Sequence, residues 1–446
     1  MSKRIKIVGI CILFGSIFLL LFFRYYDRQR FSINSLGNIL DFKYGFVPKN
    51  DSSSKHYVAE ISFKEALRNF PWKSAANVPK REQQYLMNQL VRNLTWSIIQ
   101  PPIADIDPSC QKPELHSPDC SRFPKVFTGK ESMKKIGLAI EFGFESDVLE
   151  IQLREIYDVV DYIFIVESTY CHLDNLRKPL IWTLLALQPR FRPFLNKIVH
   201  IVVDDAINAR LKNAGRWAAE NLQTKQRWNM LKEWNSQEKF FAANDFIGFC
   251  HADEVAKRDI LFLLKNCEVH PNIKLVNFET WFPWSRLDTA YGSRKKNKYV
   301  DTRPTFYRFS YALNESDAGH IPSHKSHFIT NVLPGGAHLS DHPYAPFKFV
   351  KRLLVCTECT NLIKYKDNYY IDLIFNENWE ELEKSLISSP KGHIKSGNLQ
   401  PLQKAIQQNP YFGTKVVYTP YFLKCNERRY PGWFGGQFDP RLQAKR

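Results

Sequence analysis

The residues best suited to chemistry stand together in Asp245–Asp259, D-F-I-G-F-C-H-A-D-E-V-A-K-R-D. Phe246 to Cys250 is a short apolar run with the length and composition of a buried strand. It stops on His251-Ala252-Asp253-Glu254, and a helical pattern follows from Arg258 through Leu264. Adjacent carboxylates at the end of such a strand lie at the carboxyl edge of a sheet, where open α/β folds bind nucleotides and their metals. Hard divalent cations take oxygen ligands, commonly one or two carboxylates together with the substrate's phosphates. Read more plainly, Asp253 and Glu254 only cap the following helix, since acids favour helix N-termini.

The flanking chain supplies elements that could position these acids. Ile136–Ile140 reads as a first strand and Asp147–Val160 as an amphipathic helix with Leu149, Leu153 and Ile156 on one side. Tyr162–Val166 is a second strand ending on Glu167-Ser168, Pro179–Leu187 is helical, and Ile198–Val203 is a third strand ending on Asp204-Asp205. Ala218–Trp234 is a further helix before Phe246–Cys250. Strands and helices alternating in this way predict an α/β fold with parallel pairing, which brings Glu167, Asp205 and Asp253 to one edge. No G-x-G-x-x-G or G-x-x-x-x-G-K loop follows the first strand, so a dinucleotide fold of that type and a P-loop ATPase are excluded. Phosphates bound here would need a metal and basic side chains. Arg227 and Arg258 are the arginines at hand, with salt bridges across the sheet edge as their plainer use.

Residues 7–23 are uncharged and apolar between Lys6 and Arg24, near the short end of the roughly 17–25 residues that span a bilayer. The sequence predicts a short tail over 1–6, a retained anchor over 7–23, a stem over 24–134 and a catalytic domain over 135–446. Asn50, Asn93 and Asn314 open N-x-S/T sequons. Eight of the nine cysteines follow the span, which suits disulfides in an oxidising lumen and a type II arrangement. Cys110 and Cys120 bracket a proline-containing loop and are expected to pair with each other, rather than to form half of a zinc site. Cys356 and Cys359 read as structural, and the histidines 320, 324, 327, 338 and 342 stand in loop sequence without an H-E-x-x-H pattern. The formal charge of +17 alone would allow a nucleic-acid binder. An anchor, sequons and the lack of a basic helix or RNA-binding signature argue against one.

From about Ile136 to Cys425 the chain resembles the glycosyltransferase family of the bisecting N-acetylglucosaminyltransferase. Phe144–Leu153 is similar to that family's F-x-N-E-x-D-L-L-E-I-R-L, Val159–Tyr162 to V-V-D-x-F, Val166–Ser168 to V-E-S, and Pro179-Leu180 to P-L. Glu220, Gln226 and Arg227 match the helix before the acidic motif. His251–Asp259 stands where the family has D-A-D-E-I-P-x-R-D, Gly336–Ser340 resembles G-W-H-x-S, and Tyr418–Leu423 resembles Y-x-P-x-Y-L. The resemblance implies a GT-A-like (Rossmann-like) domain that transfers N-acetylglucosamine from UDP-GlcNAc, with inversion, to a mannose of protein N-glycans at the Golgi membrane. It also implies a divalent metal, Mn²⁺, on Asp253, with His338 and His251 as further ligands. Glu254 is then an orienting residue or a contact to the donor ribose.

Inversion needs a general base for the acceptor hydroxyl, commonly a carboxylate. Asp341 leads over Glu279 and Asp288. Glu145 and Glu167, with Arg227 and Arg258, are candidates for donor binding, although either acid could instead cap a helix. Trp281-Phe282-Pro283-Trp284 could form a sugar-stacking wall or simply pack in the core. Arg294–Lys298 reads as a solvated loop. Two departures stand out: His251 replaces the family's first acid, and Asp341-His342-Pro343 replaces an aromatic and a cysteine. These leave open a non-catalytic luminal carbohydrate-binding or scaffolding relative that keeps the fold.

Overall fold

The computed structural model describes residues 63–71, 78–102, 104–172, 176–203, 218–292, 300–314, 331–340, 342–351, 378, 381 and 399–435. The expected anchor at 7–23 lies outside them, and among the described residues no helix is long and apolar enough to cross a membrane.

The strands in chain order are β1 (Phe127–Glu131), β2 (Ile136–Glu141), β3 (Tyr162–Ser168), β4 (Ile198–Val203), β5 (Phe246–His251), β6 (Glu254–Ala256) and β7 (Cys267–Val269). They continue with β8 (Leu275–Trp281), β9 (Pro283–Trp284), β10 (Arg286–Tyr291), β11 (Val300–Arg308), β12 (Val332–His338) and β13 (Leu399–Pro401). The main sheet has eight strands in the order β4-β3-β2-β5-β11-β8-β12-β6. Its first four strands are parallel, as the α/β alternation predicts. β11 then runs antiparallel to β5 and β8, and β6 antiparallel to β12. β2 is buried at every position, as a strand covered on both faces must be.

One connection dictates the sheet's shape. Only Ala252 and Asp253 separate β5, in the middle of the sheet, from β6 at its far edge. Those residues reach about 10 Å, whereas four inter-strand gaps in a flat sheet would cover about 19 Å. The sheet therefore curls back on itself, and the acidic motif lies at the mouth of the curl. Gly336 lets β12 approach this closely. A β-carbon there would stand 2.6 Å from the Val255 carbonyl oxygen, and its φ of +153° is one that side chains seldom adopt.

Helices cover both faces. On one, the Ala218–Glu238 helix buries Trp228, Leu231 and Trp234 against Phe164, Phe241 and Phe249. Each wholly buried side chain of the Leu or Phe class contributes about 1.5–3 kcal/mol. The other face carries the Ser146–Ile156 and Arg258–Asn266 helices. Leu149, Leu153 and Ile156 face the main core, while Val148 and Ile151 meet a third cluster built from Phe412, Phe422, Leu423 and Trp433. That helix is thus apolar on two sides. It ends at Ile156, short of the predicted Val160, where Asp158 turns out to pair with Arg258.

Part of the predicted stem belongs to the folded body. The Lys80–Ile98 helix buries Leu90, Val91, Leu94 and Ile98 in the main core, and β1 pairs with β7. The expected Cys110–Cys120 bond is corrected: Cys110 joins Cys425 and Cys120 joins Cys267, each tying this segment to a distant one. Cys171 and Cys250 are both buried, and the Gln152 side-chain amide lies 3.4 Å from the Cys250 sulfur. Of the sequons, Asn93 is half-buried in mid-helix, and the Thr95 hydroxyl donates to the Val91 carbonyl. Asn314 is exposed, and Asn50 lies outside the described residues.

Candidate active site

The site is built at the carboxyl ends of β2 and β5. These strands pair in parallel with Glu141 beside His251, which places the His251 Nε2 3.9 Å from Glu141 Oε2. The polypeptide then turns through Asp253 into β6, where Glu254 is in register with His338 of β12. The Leu339 amide donates to the Asp253 carbonyl at 2.6 Å, bolting the two segments together.

Three carboxylates occupy this edge, and each has a fixed cation. Arg227 donates to Glu141 Oε2 at 3.1 Å, Arg303 to Glu254 Oε1 at 2.8 Å, and the Lys351 ammonium to Asp253 Oδ2 at 3.0 Å. Lys351 also donates to the Ser340 carbonyl and hydroxyl oxygens at 2.8 and 2.6 Å. The second oxygen of Glu254 accepts from the His251 amide at 2.9 Å. Glu254 is thus a brace for the turn. Asp253 Oδ1, in contrast, is buried and accepts no hydrogen bond among the described residues, with His338 Nε2 3.7 Å away. Burial alone would raise the Asp253 pKa, but the Lys351 ammonium and the His338 and His251 rings outweigh it. Its carboxyl is held well below the usual range and stays ionised.

Ligating atoms of His251, Asp253 and Glu254 lie within 4.8 Å of one another. Glu254 is spent on its two donors, so Asp253 and His251 are the members of this group left to ligate; His338, with Nε2 3.7 Å from Asp253 Oδ1, stands beside the group and not within it. Imidazole together with carboxylate suits Mn²⁺ and its softer neighbours better than Mg²⁺. The His338 ring is held by stacking on Phe282, centroids 4.7 Å apart.

The other predicted residues separate. Arg227 stays at the edge, nearly wholly buried on Glu141, with Nε and Nη2 unbonded. Glu167 lies at the end of β3 but is turned inward. Its oxygens accept from Lys178, His200 and the amides of Ile181 and Trp182. It therefore takes the helix-capping role. Burial works against its charge, but Lys178 and His200 keep its pKa below the usual value. Glu145 turns its carboxylate back onto the Phe144 amide. Arg258 grips Asp158 with two nitrogens and also donates to the Pro113 carbonyl, so its guanidinium is committed elsewhere. Asp288 is exposed and paired with Arg286, and Glu279 accepts from the Tyr411 hydroxyl at 3.3 Å. Trp281 is core, its indole donating to the Tyr418 carbonyl at 2.6 Å, while Phe282 and Trp284 are half-buried. Asp341, Asp205, Arg294–Lys298, His320, His324, His327, Cys356 and Cys359 lie outside the described residues.

Four members of the edge escaped the sequence reading. Glu141 ends its strand on an acid just as Glu167 does, so that signal was present. His172 faces Glu141 at 3.8 Å and meets Gln223 at 2.7 Å, and nothing near it marks it out. Arg303 and Lys351 lie 49 and 98 residues from their partners, and only the fold joins them.

No curated protein matches the chain significantly. A family model described as glycosyltransferase family 17 matches residues 86–313, just over half of the chain, and takes in Glu141, Arg227, His251, Asp253, Glu254 and Arg303. With that edge at the end of its parallel strands, the chain belongs to glycosyltransferase family 17, the family of the bisecting N-acetylglucosaminyltransferase.

Proposed function

We propose that this protein transfers N-acetylglucosamine from UDP-GlcNAc, with inversion, to a mannose of protein N-glycans, as a single-pass type II glycoprotein of the Golgi membrane with a GT-A-like luminal domain. The observation that carries the reading is Asp253 Oδ1, ionised, buried and without a hydrogen bond among the described residues, 3.7 Å from His338 at the carboxyl edge of a family 17 domain. Asp253, His338 and His251 would hold the metal, Mn²⁺, which when bound neutralises charge on the departing diphosphate.

The chain's own groups have distinct tasks. Lys351 keeps one Asp253 oxygen engaged so that the other faces His338. Glu254 and Arg303 fix the turn that carries His251. Arg227 has two buried nitrogens, Nε and Nη2, with no hydrogen-bond partner among the described residues, suited to an oxygen-rich ligand. In an inverting displacement the acceptor oxygen forms its bond to the anomeric carbon as the sugar–phosphate bond breaks, and a carboxylate takes the hydroxyl proton. Asp341 is the base we propose, three residues beyond His338.

The test is transfer by the full chain in detergent, with a panel of UDP-sugars, Mn²⁺ and mixed N-glycan acceptors, products being identified by mass. Addition of one β-linked N-acetylhexosamine, from UDP-GlcNAc alone, is the expected result. Glycan binding with no transfer from any donor would sink the proposal in favour of the non-catalytic relative, a reading that His251 in place of an acid keeps in play.

A further inference from the structure

The cation pairs at the edge point beyond metal-assisted donor binding. Before any ligand arrives, the charges of Glu141, Asp253 and Glu254 are matched by Arg227, Lys351 and Arg303 among the described residues. An edge of unpaired acids would repel a nucleoside diphosphate until a metal ion neutralised it. Among the described residues, this one has no such excess to overcome.

Lys351 is the most accessible of the three cations. Its side chain is 26% exposed, against 1% for Arg227. Among the described residues it donates to Asp253 and to both oxygens of Ser340, of which the hydroxyl oxygen is a neutral acceptor. A phosphate oxygen taking the place of that hydroxyl would exchange a neutral contact for a charge-assisted one, a stronger bond.

Resting on the nucleotide-sugar reading above, we propose that Lys351 is a diphosphate-binding residue, and that with its neighbouring cations it holds the donor's diphosphate when no metal is present. The metal then adds to a grip that the chain already has. The departure at His251 fits this arrangement, because it removes one negative charge that a fully metal-dependent edge would retain.

The experiment is calorimetric titration of UDP into the full chain in detergent, once in chelator and once in Mn²⁺. Wild type, Lys351→Met and Lys351→Arg are compared, each checked by its melting temperature. UDP should bind in chelator, with a Kd that Lys351→Met raises about tenfold or more and Lys351→Arg changes by less than about threefold. Binding seen only with Mn²⁺, or a metal-free Kd that Lys351→Met leaves unchanged, would overturn the proposal while leaving the transferase reading intact. Failure of the folded wild type to bind UDP in either condition would overturn both. If Lys351→Met does not fold, Lys351→Gln takes its place with the same expected rise in Kd, and an unchanged Kd would overturn the proposal in the same way.

Discussion

Two sets of buried acids, one on the Ser146–Ile156 helix and one at the carboxyl edge, are made of the same residue types and put to different use. On the helix, Asp147 and Glu150 are wholly buried against Arg190, and Glu150 also against Arg429 and Tyr430. No buried side-chain nitrogen or oxygen of those two acids and two arginines lacks a partner. At the carboxyl edge, Glu141 Oε1, Asp253 Oδ1 and two nitrogens of Arg227 are buried without a hydrogen bond among the described residues. A saturated network locks one segment to another. An unsaturated one has bonding capacity left for a ligand, at a cost in folding free energy that a purely structural cluster has no reason to carry. The family-like motif Phe144–Leu153 therefore serves architecture, and the His251–Glu254 motif serves the site.

That contrast can be broken at several points. The largest effect is expected for Arg190→Ala, which leaves Asp147 and Glu150 buried beside a lost cation and should cost about 3–5 kcal/mol in chemical denaturation. A loss below about 1 kcal/mol would show the network to be dispensable.

A smaller effect is expected at Glu155, where the same helix meets the C-terminal segment. Glu155 accepts from the Tyr418 hydroxyl and the Tyr421 amide, and burial pushes its pKa up to about 7. A raised carboxyl favours the protonated form in the folded state. Its contribution to stability is fully present below about 4.5 and is lost as pH rises through about 7. Between pH 5 and 8 the wild type should lose on the order of 2 kcal/mol through this group. Glu155→Gln should flatten that slope in denaturation curves at the two pH values. An unchanged slope would refute the assignment.

The smallest effect is expected at Asp288. Its ion pair with Arg286 is exposed, so Asp288→Asn should change stability by less than about 0.5 kcal/mol. Its transfer rate should match wild type within about twofold, since exposed pairs away from the edge contribute little. A large fall in rate at unchanged stability would move the general base from Asp341 to Asp288.

Much of the framework was legible in the sequence because it is local. The Ile198–Val203 strand falls on its predicted residues, and β2, β3 and β5 each extend theirs by one or two. The apolar runs that mark them need no partner to be recognised. What the sequence concealed depends on distant contacts. β6 is three residues long and carries no periodicity, so the return that curls the sheet left no trace. The Cys110–Cys425 and Cys120–Cys267 bonds join cysteines 315 and 147 residues apart, where proximity in sequence favoured the wrong pair. Glu141 and Glu167 looked alike as strand-end acids. Only the helix at Ile181–Leu185, whose first amides bond to Glu167, separates the structural acid from the one at the site.

The most direct measurement is the rate of sugar transfer from UDP-GlcNAc, with Mn²⁺ and an N-glycan acceptor, by wild type and Asp253→Asn side by side with their melting temperatures. Removing the charge of the carboxylate whose unbonded buried oxygen faces His338 should lower the rate by about 10²–10³-fold, while the melting temperature shifts by no more than a few degrees. Transfer by Asp253→Asn at the wild-type rate would contradict the placement of the active site at this edge.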